Sequence, residues 1–233
     1  MNEQGLSRRL QRVGAAVPEG ARLADIGSDH AYLPVALMLQ NKISYGVAGE
    51  VVKGPFESAK KQVQKSGLTD KITVRLADGM AAVHPEDEIT AITIAGMGGT
   101  LIRNILENGV AQQQVTGKER LILQPNVGEA GLRNWLMSNN YEIIHEEIIE
   151  EHQKIYEIIV AEKTEKPVLY TEQELFFGPF LLKEKNETFR NKWQRELLQK
   201  ERVLQQLQQA DQLPQDKVQE ITRQIQWIRE AIG

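Results

Sequence analysis

Three stretches of the chain place an acidic residue beside glycine where a ligand could be cradled: Leu23-Ala24-Asp25-Ile26-Gly27-Ser28-Asp29-His30-Ala31, Val47-Ala48-Gly49-Glu50-Val51 and Ala77-Asp78-Gly79-Met80. In the first, an apolar run ends in Asp25, turns at Gly27 and enters a helical segment. The pattern is not Gly-x-Gly-x-x-Gly, so the closely spaced glycines that admit a pyrophosphate are missing. Two carboxylates, Asp25 and Asp29, suit instead a ligand with a cationic, amino-acid-bearing end, and Gly27 lets backbone pass close to it. Taken alone, Asp25 could be a turn former and Asp29 a helix N-cap. Glu50 follows Gly27 by 23 residues, near the roughly 20 at which an acid ending the second strand accepts hydrogen bonds from both ribose hydroxyls. Asp78 follows a third strand and can take an adenine amino group while its neighbours pack on the ring.

A sulfonium amino acid, a ribose and an adenine without phosphate make up S-adenosylmethionine, so the expected chemistry is methyl transfer. The expected cofactor residues are Asp25, Gly27, Ser28, Glu50, Val51, Ala77, Asp78, Gly79, Gly96 and Met97. The last two belong to Ala95-Gly96-Met97-Gly98-Gly99, after a fourth strand. Amino-methylating enzymes commonly carry Asn/Asp-Pro-Pro-Tyr/Phe there, and that pattern is absent. The glycines would let backbone approach a substrate base, with Met97 packing against it, although a plain tight turn would also account for them. Gln124-Pro125-Asn126, after a fifth strand, is the nearest source of polar groups for reading a base edge.

The elements that must position these residues alternate regularly. A helix over 6–17 is followed by strands at 22–26, 44–51, 72–76, 89–94 and 120–123. Between and after them lie helices at 32–40, 54–66, 100–108 and 129–138. The fourth strand is almost wholly apolar, as for a strand covered on both faces. This rhythm predicts parallel strands joined by helical crossovers. Residues 141–151 and 154–163, parted only by His152-Gln153, predict a β-hairpin that finishes the sheet with an antiparallel strand. A mostly parallel sheet closed by a hairpin is the class I methyltransferase arrangement. After Lys166-Pro167 the strand signal stops and glutamine becomes abundant. One long helix is predicted over 179–210 and another from Pro214, after a turn at Asp211-Gln212-Leu213. Phe189, Trp193, Leu197, Leu204 and Leu207 make one stripe, interrupted by Lys200. Val218, Ile221, Ile225, Ile228 and Ile232 make an a/d seam. The short connection favours an antiparallel hairpin within one chain, hence a monomer, over a dimerising coiled coil. The expected division is 1–166, a Rossmann-like donor-binding domain, and 167–233, a helical coiled-coil domain.

Bulk properties narrow the class. Among 233 residues there is no cysteine, which excludes disulfides, thiolate nucleophiles and Cys-ligated zinc. The four histidines, His30, His84, His145 and His152, are scattered, so no metal site is expected. No Gly-x-Ser-x-Gly elbow marks a hydrolase. The amino terminus lacks the apolar core of a signal peptide and no apolar run approaches the roughly 20 residues of a membrane span. A cytoplasmic protein without membrane contact is expected. The net charge of −4 argues against a wholly basic nucleic-acid surface, but local patches suffice for phosphate contact. Candidates are Arg8, Arg9 and Arg12; Lys60, Lys61 and Lys65; and Lys183, Lys185, Arg190, Lys192 and Arg195.

The Leu6-Ser7-Arg8-Arg9-Leu10 opening, Ala24 to His30, Ala77-Asp78-Gly79, Ala95 to Gly99, Gln124-Pro125-Asn126 and the helical tail together resemble the bacterial tRNA (adenine-22-N1)-methyltransferase family. The resemblance spans nearly the whole chain. It implies a Rossmann-like catalytic domain, S-adenosylmethionine as donor and N1 of a tRNA adenine as acceptor. At the methionyl end of the donor, Asp29 is then the expected group that stabilises developing charge, with His30 as a positioning group. Arg8, Arg9, Gln124 and Asn126 become the expected substrate contacts, and the basic residues of the tail would hold the tRNA body. The alternatives left open by the residues are a donor-dependent enzyme acting on a protein or small molecule, and a noncatalytic donor-binding interaction protein.

Overall fold

The computed structural model describes residues 5–208 and 215–233. Apolar side chains recur on both parities of the strands, and this forces a three-layer solution. Leu23, Ala91 and Ile122 pack toward one layer of helices, whereas Ala24, Ile92, Leu121 and Leu123 pack toward the other. The strands are β1 (Ala21–Ile26), β2 (Ile43–Glu50), β3 (Ile72–Leu76), β4 (Ala91–Met97), β5 (Arg120–Pro125), β6 (Tyr141–Glu151) and β7 (Lys154–Lys163). They form one sheet in the order β3-β2-β1-β4-β5-β7-β6. β1 to β5 are parallel, and β7 runs antiparallel to both of its neighbours. The predicted hairpin therefore closes the sheet, but its second strand slots inward and leaves β6 as the edge.

Helices α1 (Arg8–Ala15), α2 (Tyr32–Leu39) and α3 (Lys53–Lys65) supply Val13, Leu33, Leu37, Ala59 and Val63 to one core. Helices α4 (Gly99–Ala111) and α5 (Glu129–Ser138) supply Ile102, Ile105, Leu106, Leu132 and Leu136 to the other. The sheet order reverses between β1 and β4. Such a switch point opens a crevice at the carboxyl ends of the strands, where ligands of this architecture bind.

The tail differs in detail from its expected form. A short α6 (Glu172–Phe177) opens it, capped reciprocally by Thr171 and Glu174. The helix predicted over 179–210 is two helices, α7 (Leu181–Glu184) and α8 (Glu187–Gln208). The chain breaks at Lys185, with φ +47°, and Asn186 Oδ1 restarts it by accepting from Phe189 N at 3.0 Å. α9 (Gln215–Ile232) follows; the turn expected at Asp211-Gln212-Leu213 and the start at Pro214 lie outside the described residues. Ile221, Ile225 and Ile228 of the expected seam are buried against Phe189, Trp193 and Leu197, while Val218 and Ile232 are only partly covered. This cluster takes in Ile148 of β6 and Ile155 of β7, so the tail is seated on the hairpin.

A buried ionic network locks that seat. Arg133 of α5 is fully buried and donates through Nε to Glu146 Oε1 at 2.7 Å and through Nη2 to Glu157. Lys192 of α8 bridges Glu157 and Glu129 at 2.7 and 2.8 Å. Phe180 N donates to the other Glu146 oxygen at 2.9 Å. Gly178 passes directly over the network: a Cβ there would stand 2.6 Å from Glu146 Oε2 and 2.7 Å from Arg133 Nη2. Removing one member of such a cluster strands a buried charge, at a cost of about 3–5 kcal/mol. Arg133→Met is therefore expected to lower the urea unfolding free energy by about that amount. Adding Glu146→Gln and Glu157→Gln should restore most of the loss. Equal stability of the single variant and the wild type would show the network to be idle.

Candidate active site

Asp25, next to last in β1, is buried, with both oxygens engaged. Oδ1 accepts from Thr93 Oγ1 of β4 and Oδ2 from Ser28 Oγ, each at 2.6 Å. Burial pushes its carboxyl up from the ordinary range, and the two hydroxyls and the Arg9 guanidinium partly offset this. Gly27 N and Ser28 N donate to Gly49 O of β2 at 2.9 and 3.2 Å, which pins the loop to the sheet. Gly27 has φ +69°, and a Cβ on it would lie 2.1 Å from Met97 Cε. The Met97 methyl ends a flexible side chain and would have to move aside, so it is the left-handed φ that favours glycine here.

Asp29, His30 and Ala31 then have φ of +43°, +67° and +57°. Three successive non-glycine residues in the left-handed region are costly, and such strain is concentrated at functional sites. Ala31, not Asp29, occupies the N-cap position of α2, and no side chain caps it. Asp29 thus projects its carboxylate outward, 74% exposed, with Oδ1 3.5 Å from His30 Nε2. The His30 ring stacks on Tyr32 at 5.3 Å.

At the tip of β2, Glu50 is 6% exposed, and one carboxylate oxygen, Oε1, has no hydrogen-bond partner. Burial raises its pKa, and the Asp29 backbone N–H partly counters that. Around it the apolar side chains of Val51, Val52 and Leu76 are 63%, 56% and 49% exposed. Ala77 N donates to Glu50 O at 2.8 Å, and the exposed Asp78 and half-buried Gly79 follow. An orphaned buried acceptor beside uncovered apolar surface matches a ribose edge and an adenine face, so the residues fit S-adenosylmethionine. Its methionyl end would then reach a cavity of about 280 Å³ lined by Arg9, Leu10, Asp25, Gly27, Ser28, Asp29, Tyr32, Ala95, Gly96 and Met97.

The glycine-rich segment is not a turn. β4 continues to Met97 with a bulge, so Gly96, at φ +79°, is left over between the Ala95–Gln124 and Met97–Pro125 pairs. Gly96 N donates to Gln124 Oε1 at 3.0 Å, and Gly96 O accepts from Asn126 Nδ2 at 2.8 Å. Gln124 also accepts from Arg9 Nη1 and donates to Pro125 O and Asn126 Oδ1. With four bonds and no exposure, its amide has no capacity left to read a base edge. Its position makes it a brace for Arg9 and Gly96. Asn126 is exposed, next to Val127 at 68%. Arg8 lies at the rim, where its backbone N–H donates to Glu151 at 2.6 Å and its side chain to Glu150 O at 3.3 Å. Of the other cations, Arg12, Lys192 and Arg195 pair with carboxylates of the protein itself. The sequence reading missed Thr93, although a hydroxyl in the apolar run Ala91 to Ile94 was a visible signal. It also missed Tyr32, Val52 and Leu76, which carry none. Among the described residues no cluster of His, Asp and Glu could hold a metal, and no helix is long and apolar enough to cross a membrane.

Comparison with known proteins agrees with this geometry. The family model described as tRNA (adenine(22)-N(1))-methyltransferase matches residues 23–230. A Bacillus subtilis tRNA (adenine(22)-N(1))-methyltransferase is 47% identical, over 100% of this chain and 99% of its own. A Streptococcus pneumoniae protein solved in complex with S-adenosyl-L-methionine is 43% identical, with TM-score 0.89, over 98% of this chain and 100% of that one. A Mycoplasma capricolum relative solved with S-adenosyl-homocysteine is 32% identical, with TM-score 0.84, over 97% of both chains.

Ribose hydroxyls donate best to an ionised Glu50, so donor affinity should fall as pH drops through the raised pKa of this group, above the ordinary glutamate range. Glu50→Gln is expected to weaken S-adenosyl-homocysteine binding about 10- to 100-fold by calorimetry and to flatten that acid limb. Unchanged affinity would place the ribose elsewhere.

Proposed function

The chain belongs to the tRNA (adenine(22)-N(1))-methyltransferase family, and from that premise we propose how its residues divide the work. The protein is an S-adenosylmethionine-dependent tRNA (adenine-N1)-methyltransferase. The observation that carries the site assignment is the unpartnered oxygen of buried Glu50, at the tip of the strand that lies between β1, which leads into the Gly27 loop, and β3. Glu50 would take the ribose hydroxyls, with Val51 and Ala77 packed on the adenine and Asp78 at its amino group. Gly79 would let the chain turn beneath the ring. Asp25, Gly27, Ser28, Gly96 and Met97 would enclose the methionyl end. When bound, S-adenosylmethionine supplies an electrophilic methyl group on a sulfonium.

Adenine N1 has an in-plane lone pair, so the protein need not remove a proton before attack; alignment suffices. The methylated ring is cationic, and the carboxylate of Asp29 stabilises charge developing on it. His30, fixed by Tyr32 and Asp29, positions the base. N1 is occupied in paired or folded RNA, so the target nucleotide is flipped into the crevice. Asn126 and Arg8 contact it from the rim. Residues 1–166 serve donor binding and chemistry, and residues 167–233 serve the grip on tRNA, in a monomer acting in the cytoplasm. The tail can contribute little through Lys192 and Arg195, which are paired internally, so the grip falls to Lys183, Lys185 and Arg190.

Labelled methyl groups should pass from S-adenosylmethionine to an unmodified tRNA transcript. None should reach fully modified tRNA or a transcript with guanine at position 22, whose N1 carries a proton. Equal incorporation into the guanine transcript would overturn the N1 assignment. In the same assay Asp29→Ala should cut kcat by about 10²- to 10³-fold, and a near-wild-type kcat would remove Asp29 from the mechanism.

A further inference from the structure

Lys200 interrupts the apolar stripe of α8, and its surroundings give the interruption a use. The residue lines a cavity of about 440 Å³ between the tail and the loop that follows β5. On the sheet side the lining is Asn126, Val127 and Ala130; on the tail side it is Phe176, Trp193 and Lys200. Lys200 Nζ donates to Gln224 Oε1 at 2.8 Å and stands 5.5 Å from the centre of the Phe176 ring. Among the described residues no carboxylate pairs with it. Trp193 is 4% exposed, and its Nε1 has no hydrogen-bond partner. An unmet donor inside a protein costs free energy, so this wall is incomplete as an internal surface.

Charge decides what the cavity suits. Lys192 is held by Glu129 and Glu157, and Arg195 by Glu150. With those two cations neutralised, the cavity is no track for a run of phosphates. Lys200 leaves room for one. Glu196, one turn earlier on α8, also lines the cavity and has no ion pair among the described residues. It can accept from an amino or imino group and would repel a second anion. The remaining surface is aromatic and aliphatic, which suits a flat ring. One phosphate, one ring and an N–H edge describe a single nucleotide, and the volume is within the range of small-ligand pockets.

The position decides which nucleotide. Asn126 and Val127 belong both to this cavity and to the loop laced to the end of β4. Swinging a base out of an RNA stack removes the stacking partner of the next base. We propose that the cavity takes the nucleotide adjacent to the methylated one, unstacked from the RNA, with its base against Phe176 and the apolar wall and its phosphate at Lys200. This rests on the reading of the chain as a tRNA methyltransferase whose target base enters beside Asn126. Lys200 is thereby a substrate contact and not a flaw in the seam.

The test measures tRNA affinity of the full-length protein at fixed salt. The probes are an intact transcript and two that lack the base on the 5′ or the 3′ side of the target. One of the two abasic transcripts should bind the wild type about 5- to 150-fold more weakly. Ala130→Phe, which plugs the cavity, should lose a similar factor on the intact transcript and nothing further on that abasic one. S-adenosyl-homocysteine affinity should stay within twofold. Lys200→Gln should flatten the dependence of log affinity on log salt by about 0.7 to 1, the mark of one phosphate contact. Insensitivity to both abasic sites, or losses that multiply in the plugged variant, would overturn the proposal. An unchanged salt slope in Lys200→Gln would overturn it as well, and that arm decides alone if Ala130→Phe proves unstable to urea. Absence of methyl transfer to N1 by the wild type would instead sink the reading on which the proposal rests, a result separate from the binding cycle.

Discussion

The site hangs on a carboxylate buried where two parallel strands part. Asp25 would be expensive to keep in a protein interior by itself, and burial does raise its pKa. Hydroxyls from Thr93 and Ser28 make the position tenable, and each fixes a different piece of chain. Thr93 ties β1 to β4 across the point where the sheet order reverses. Ser28 draws the following loop back over β1, where two of its N–H groups reach Gly49 of β2. A chain constrained that tightly has little choice of exit. It leaves through three left-handed residues, and this throws Asp29 and His30 out to the mouth of the crevice. The residues with exposed chemistry are therefore presented by one that has almost no exposure.

The far wall of the crevice is held by a different device. The loop after β5 is laced to the bulged end of β4 by Asn126 N to Met97 O and by Gly99 N to Val127 O, each at 2.7 Å. A Cβ on Gly99 would meet Gly128 O at 2.5 Å, so the lacing requires a glycine there. One residue further on, Glu129 accepts from Lys192 of the helical tail, whose other bond enters the Arg133 network. The helix that follows this loop and the helices that follow the sheet are joined through one ionic network. The tail is placed by chemistry buried beneath it and not only by its apolar seam.

The sequence made the frame legible because its signals are local and periodic. Strand-end acids spaced along alternating elements picked out Asp25, Glu50 and Asp78, which the fold places at the same end of the sheet, and the apolar runs located all seven strands within a few residues. What stayed hidden depends on contacts between distant residues. Nothing in Ala95 to Gly99 distinguishes a turn from a bulge until β5 is beside it. Gln124 looks like an available amide until Arg9, 115 positions earlier, takes its oxygen. The positive charge of Lys192 and Arg195 reads as a nucleic-acid surface, yet glutamates of α5, β6 and β7 neutralise it. The break at Lys185 shows the reverse case: Asn186 is a visible cap three residues before Phe189, overruled by the apolar stripe that continues through it.

The missing polar motif after β4 becomes intelligible through the acceptor atom. An exocyclic amine must lose a proton as it gains a methyl group, and acceptors near it hold its N–H groups in place; a side-chain amide and a free carbonyl serve that end. N1 of adenine has no proton to lose. What it requires is a smooth surface on which the ring can slide to the right depth, with negative charge nearby once the ring becomes cationic. In the proposed division of work the bulge at Gly96 would meet the first requirement. It ties its own carbonyl to Asn126 and leaves Met97 as the side chain at the strand end. The strained Asp29 loop, which lines the same cavity, would meet the second. An enzyme built for this nitrogen can therefore dispense with a general base. In keeping with that, His30 is the only histidine near the cavity among the described residues, and it is stacked against Tyr32.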